Sequence, residues 1–277
     1  MEVHGHGSEW DQERGGTRYW IRLESGDEFD GFASTVESAR IDARDALAAA
    51  GHPLAQLGGL ASSILEEIAD DEIALKRCPG GRALDPPLDY SRAFDAGTAI
   101  AVDFLEGPLQ GVIEVETAGT LALPSGRVAA YDPLVVGQVE AFAFEVPPGH
   151  YPVIVSMANI DGEPRRRVIA AAVQFSEQPV SGWRQALQIG EDPTELAPRE
   201  MFGYAVDTGT GCFADADFDP GELEEIAVEE YVQLDPRLVA FTTGWGDGRY
   251  ATFLGRDALG RPAMLVTDFE LLAPHSL

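Results

Sequence analysis

Three aspartates at alternate positions, one cysteine and an Asp-Thr-Gly tripeptide fall within a single stretch, Phe202-Gly-Tyr-Ala-Val-Asp-Thr-Gly-Thr-Gly-Cys-Phe-Ala-Asp-Ala-Asp-Phe-Asp-Pro-Gly221. No other part of the chain gathers as many groups able to do chemistry, and each chemistry they suggest is incomplete. Asp207-Thr-Gly209 follows Ala205-Val206, the arrangement of an acid protease. Such enzymes make two carboxylates share a proton, because like charges about 3 Å apart cannot both ionise easily. The chain has one such tripeptide, so a second carboxylate must come from another segment or another subunit, and Gly211 breaks the small polar pattern that should follow. The plainer reading is a strand end, with the aspartate accepting backbone hydrogen bonds in a tight glycine turn.

Asp215, Asp217 and Asp219 have the alternate spacing that places carboxylates around a hard cation. A calcium loop counted from Asp215 needs glycine at the sixth position and glutamate at the twelfth. The chain has Pro220 and Ile226 there, so the standard loop fails. A looser divalent-cation site, with Asp207 added, is the alternative to a solvated acidic turn, and no other cofactor is expected. Cys212 as a nucleophile needs a histidine to lower its thiol pKa. His150, in the turn Pro147-Pro-Gly-His-Tyr151, is the candidate partner. A buried structural cysteine is the plainer reading. There is no Gly-x-Ser-x-Gly elbow and no phosphate-binding Gly-rich loop ending in Gly-Lys-Ser/Thr.

Binding is the other chemistry on offer. The chain carries 47 acids against 19 bases, a formal net charge of −28, and Lys76 is its only lysine. A surface this acidic repels phosphate backbones, which argues against nucleic acid as a partner. It suits solubility, or the docking of a basic protein, since a charged patch steers association. Cys212 to Pro236 holds nine acids and no base, with Glu224, Glu225, Glu229 and Glu230 as candidate contacts. Trp245 and Asp247, in Gly244-Trp-Gly-Asp-Gly248, add an anchor if the ring is exposed, and only seal a sheet end if it is packed.

These groups need a scaffold. With 277 residues and 45% hydrophobic composition, the chain can bury a sizeable core. It has no apolar run of the roughly 20 residues that span a bilayer, no basic-then-apolar leader at its start, and two distant cysteines that make no disulfide framework. These features predict a soluble cytoplasmic protein with no membrane partner. Residues 1 to about 17, with His4 and His6, read as a loose polar tail. Tyr19 to Leu23 reads as a strand. Ser34-Thr-Val-Glu37 fits a capping box opening a helix that Gly51 stops, and Ile64, Leu65, Ile68 and Leu75 lie at helical spacing in a second helix. Cys78 to Pro87 is a proline- and glycine-punctuated linker, which puts a boundary near residue 85. From Ala99 the pattern turns to period two. Strands are predicted over 99–105, 112–117, 120–123, 127–131, 141–146, 151–158, 168–175, 203–206, 238–243, 249–255 and 262–269, with short helices over 179–187 and after Asp219, the latter turning Tyr231 inward.

The part from about residue 99 to 273 resembles the bacterial family called domain of unknown function 4241. The resemblance rests on Gly119-Thr-Leu-Ala-Leu-Pro-Ser-Gly126 with Asp132-Pro133, Gly149-His-Tyr-Pro152, and Arg167-Val-Ile-Ala-Ala-Ala-Val-Gln-Phe175. It continues in Gly203 to Phe213 and in Gly244-Trp-Gly-Asp-Gly248 with Asp268-Phe269. It implies a mostly β fold and no mechanism. The sequence therefore predicts a mainly β protein, α+β overall: a small α-rich module of one strand and a helical hairpin over 1–85, and an antiparallel sandwich or distorted barrel over 86–277. The function expected is that of an acidic, cytoplasmic interaction protein, with immunity or defence as an association. The alternative is a hydrolase or metal-dependent enzyme centred on Asp207 and the Asp215/Asp217/Asp219 cluster.

Overall fold

The computed structural model describes residues 3–11, 16–23, 28–33, 77–79, 89–102, 109–135, 139–193, 196, 200–219 and 228–272, the first four of these segments and residue 200 by backbone alone. Among them the protein is mainly β and contains no α-helix. The helical hairpin expected over 34–75 lies outside the described residues. The described N-terminal segments are all strand. Strands β1 (Val3–Asp11), β2 (Gly16–Leu23) and β3 (Glu28–Ala33) form an antiparallel meander. This corrects the loose tail expected over 1–17, where local composition hides pairing that β2 supplies: Ser8 lies opposite Tyr19, and Glu9 opposite Arg18. Strand β4 (Arg77–Pro79) pairs with β11 (Glu200–Phe202).

The larger sheet has seven antiparallel strands and curls into a half-barrel. In chain order they are β5 (Ala99–Val102), β6 (Leu109–Leu123), β8 (Gly149–Ile160), β9 (Arg167–Gln174), β10 (Gly182–Gln185), β17 (Thr252–Arg256) and β18 (Pro262–Asp268). Their order across the sheet is β10-β17-β18-β9-β8-β6-β5. Val153, Val155 and Met157 alternate inward on β8, as a period-two strand requires. On β9 every residue from Val168 to Val173 is buried, the mark of a strand covered on both faces. β6 unites two expected strands through a bulge between Thr117 and Gly119.

Strand β10 replaces the helix expected over 179–187. Trp183 stands opposite Gly255 in register, and its ring lies so close to that residue that a Cβ there would approach it to 2.8 Å. A glycine covered by a cross-strand indole is a sheet arrangement that helical periodicity cannot reveal.

The smaller sheet has the order β14-β15-β13-β7, from β7 (Val128–Tyr131), β13 (Thr210–Asp215), β14 (Tyr231–Asp235) and β15 (Leu238–Thr242). β13 is buried throughout. Phe213 joins the main core on one face, and Cys212 and Ala214 pack with Phe218 and Leu238 on the other. Tyr231 lies in β14, not on the helix expected after Asp219, most of which falls outside the described residues. The Gln233 side chain ties β14 to β6 as a backbone would. Its Oε1 accepts from Thr120 N at 3.1 Å, and its Nε2 donates to Thr120 O at 2.8 Å. β12 (Tyr204–Val206) pairs with β16 (Gly248–Tyr250), which runs through Ala251 into β17. Of the strand expected over 141–146, only bridges at Ala141 and Phe142 form.

Candidate functional site

Three loops meet at one end of the smaller sheet: Asp132-Pro133 after β7, Asp207-Thr208-Gly209 between β12 and β13, and Gly244 to Asp247 between β15 and β16. Asp132 joins two of them. Its carboxylate is 4% exposed and accepts from Asp207 N and Thr208 N, both at 2.9 Å, while the Thr208 hydroxyl donates to it at 2.9 Å and Leu134 N at 3.0 Å. Charge-assisted bonds of this kind are about twice as strong as neutral ones. The tripeptide is thus a donor turn clamped by a distant acid. The expectation that Asp207 would accept the backbone bonds is reversed, and the Asp207 side chain is left exposed.

The third loop is held from below. Thr243 N donates to Gly209 O at 3.0 Å, and both Thr243 Oγ1 and the buried Tyr250 hydroxyl donate to Gly246 O, at 2.7 and 2.8 Å. Trp245 is half-buried: its Nε1 donates to Glu270 O at 3.2 Å, and the Arg167 guanidinium lies 5.5 Å from its ring. The ring packs against the main core and is no free anchor. Asp247 is exposed at the rim. Partial burial pushes its carboxyl above the usual range. A Gly209 N–H bond opposes that shift, and the charges of Asp207 and Asp132 add to it. The rim therefore presents two carboxylates, Asp207 and Asp247, above a third, Asp132, whose oxygens are taken up by backbone and hydroxyl donors.

The other candidates do not converge there. Asp215 is fully buried and accepts from Ser125 N, Ser125 Oγ and Asp217 N at 3.0, 2.7 and 3.0 Å, fixing the β6–β7 turn. Asp217 points outward and pairs with Arg127, and Asp219 is exposed. Among the described residues, no group of three or more His, Cys, Asp or Glu is placed to hold a metal ion. Cys212 is fully buried, and burial pushes its thiol up; its electrostatic neighbours are Tyr131 and Asp132. His150 is exposed on β8 of the other sheet, beside Pro148, Asp235 and Arg237. Glu229 is exposed and Glu230 is half-buried against Arg166, while Glu224 and Glu225 lie outside the described residues.

Several organising residues carry little signal in the sequence. Asp132 shows only as part of an Asp-Pro turn. Arg166 sits in a run of three arginines. Arg249 is 1% exposed and donates to Gly203 O at 3.0 Å. The fully buried Tyr90 donates to Asp268 Oδ2 at 2.7 Å and stacks on Phe253. Among the described residues, no helix is long and apolar enough to cross a membrane. No curated protein and no solved structure matches the chain. The family whose model matches is described as Protein of unknown function (DUF4241); the match runs over residues 121–232 and 223–267, just over half of the chain, and the chain belongs to that family.

Proposed function

We propose that this chain is a non-catalytic, cytoplasmic binding protein that uses the rim at Asp207 and Asp247 to dock a basic protein partner. The observation that carries the reading is how the chemistry-bearing groups are used. Asp132 and Asp215 are consumed by backbone donors, Cys212 is buried with its thiol pushed up, and of the acids at the three-loop rim Asp207 and Asp247 face solvent. A rigid rim of two carboxylates on a strongly acidic chain attracts arginine- and lysine-rich surfaces and repels nucleic acid. A role in immunity or defence is one setting for such docking. The test is binding of an arginine-rich peptide to the full chain and to Asp207→Asn/Asp247→Asn. Salt-sensitive binding that the double variant weakens supports the reading; equal binding by both proteins sinks it.

A second reading rests on one observation, the raised Asp247 carboxyl, pushed up by burial and further by the Asp207 charge beside it, since a carboxyl held partly protonated next to another acid suits acid–base hydrolysis. A hydrolase would show turnover of a peptide or ester library that Asp207→Ala abolishes.

A further inference from the structure

Arg166 closes the β8–β9 turn, and three carboxylates from two separate parts of the chain hold its guanidinium. Nη1 donates to Glu114 and Glu116 on β6, at 2.7 Å each. Nε and Nη2 form a fork onto the two oxygens of Glu230, at 3.2 and 2.6 Å. The Tyr231 hydroxyl donates to the other oxygen of Glu116, and the Asn159 amide on β8 donates to Glu114. The flanking charges point elsewhere. Arg167 pairs with Glu163 and donates to Gly244 O, while Arg165 and Glu229 are exposed. Glu230 is fixed to the smaller sheet, since its carbonyl accepts from Thr242 N at 2.8 Å.

We infer that Arg166 is an acid-released clasp that holds the β14 side of the smaller sheet to β6 and the β8–β9 turn of the larger one. One guanidinium faces three carboxylates, so two negative charges are in excess at a half-exposed position that protons reach. The arginine stays charged at every accessible pH, so only the carboxylates can switch the contact. Protonating them removes the charge assistance from every bond Arg166 makes. β14 is otherwise tied to β6 at its far end, by the Gln233–Thr120 pair and the bond from Ala122 N to Pro236 O, and these are neutral. Acid therefore loosens the charged end first. The Tyr231 hydroxyl, and after it Arg166, holds the Glu116 carboxyl below its usual range. A depressed carboxyl stabilises the fold above its unfolded value, and that contribution disappears as pH falls through the folded value. Release therefore falls at the low end of the carboxylate range.

The test is amide hydrogen exchange on the full chain, reported as protection factors at stepped pH. In the wild type, β14 is expected to lose protection relative to β8 and β9 as the pH drops through that range, by on the order of tenfold, the equivalent of one charged hydrogen bond. Arg166→Gln should show that loss already at neutral pH. β14 protection in Arg166→Gln within about twofold of wild type at neutral pH overturns the clasp, as does simultaneous loss in β14, β8 and β9 of the wild type. Should Arg166→Gln not fold, Tyr231→Phe decides. It removes the main influence depressing Glu116, so β14 should be released at a higher pH than in wild type, and an unchanged midpoint overturns the inference.

Discussion

Thr208 reaches the carboxylate of Asp132, 76 positions earlier, through both its backbone N–H and its hydroxyl, each at 2.9 Å. That relationship decides what the Asp-Thr-Gly turn is. Its threonine and backbone are donors, and an acid outside the motif is the acceptor. Asp132→Ala leaves three N–H groups, those of Asp207, Thr208 and Leu134, without their acceptor in a part-buried setting, where each loss costs about 1 kcal/mol because water replaces part of the bond. Denaturant midpoints should show a loss of about 2–4 kcal/mol for Asp132→Ala and about 1 kcal/mol for Thr208→Val, which keeps the backbone bond. A loss for Asp132→Ala no larger than for Thr208→Val would mean the clamp carries little.

The rim makes a separate claim about charge. Burial raises the Asp247 carboxyl and the Asp207 charge adds to it, so neutralising Asp207 should lower Asp247. In Asp207→Asn the carbon-detected titration of Asp247 should shift downward toward the ordinary aspartate value, about 3.9. The shift should shrink in high salt, which screens exposed charges over about 3 Å at 1 M. An Asp247 titration that ignores Asp207 would separate the two carboxylates and weaken both functional readings.

How much of this was legible beforehand follows from what kind of interaction each feature uses. Period-two alternation on β8 and the Pro-Gly and Asp-Gly turns are local signals, and those strands fall where the sequence puts them. The stretch over 179–187 reads equally well as a short helix, because the partner that makes β10 a strand, Gly255 opposite Trp183, lies 72 positions away. The site draws on partners of the same distant kind. The spacing of Asp215 to Asp217 and Asp219 is local, while the serine that donates to Asp215 lies 90 positions earlier. Buried acids choose their partners through the fold, so spacing along the chain cannot identify them.

Asp268 provides a pH test of the core. It is buried, and burial raises its carboxyl above the usual value of 3.8 against the lowering bonds from the Tyr90 hydroxyl and Glu270 N. A raised folded pKa favours the native state fully below the unfolded value, and that contribution is lost as pH rises through the folded one. Asp268→Asn should flatten this dependence. As pH rises above the ordinary aspartate value, about 3.9, wild-type stability should fall relative to the variant when the two melting curves are compared at each pH. Tyr90→Phe should extend the fall to higher pH, because it removes a bond that favours the charged form. Parallel stability curves for wild type and Asp268→Asn would show that Asp268 titrates as a solvated acid.

Gly244 tests whether the loop carrying Trp245 is set by packing or by backbone freedom. Its φ is +36°, and a Cβ built there would lie 2.0 Å from Leu271 Cδ1 and 3.0 Å from Val168 O. Gly97 is the control, with φ +85° and nothing within 4 Å of a built Cβ. Alanine at Gly97 costs only the left-handed backbone, about 1–2 kcal/mol. Alanine at Gly244 adds overpacking against Leu271 and the β9 backbone, typically a further 1–3 kcal/mol. Chemical denaturation should therefore rank Gly244→Ala below Gly97→Ala, and the tryptophan emission of Gly244→Ala should shift to the red as Trp245 leaves its seat between Arg167 and Glu270. Equal losses at the two glycines, with emission unchanged, would mean that Leu271 yields and that the rim does not depend on this close approach.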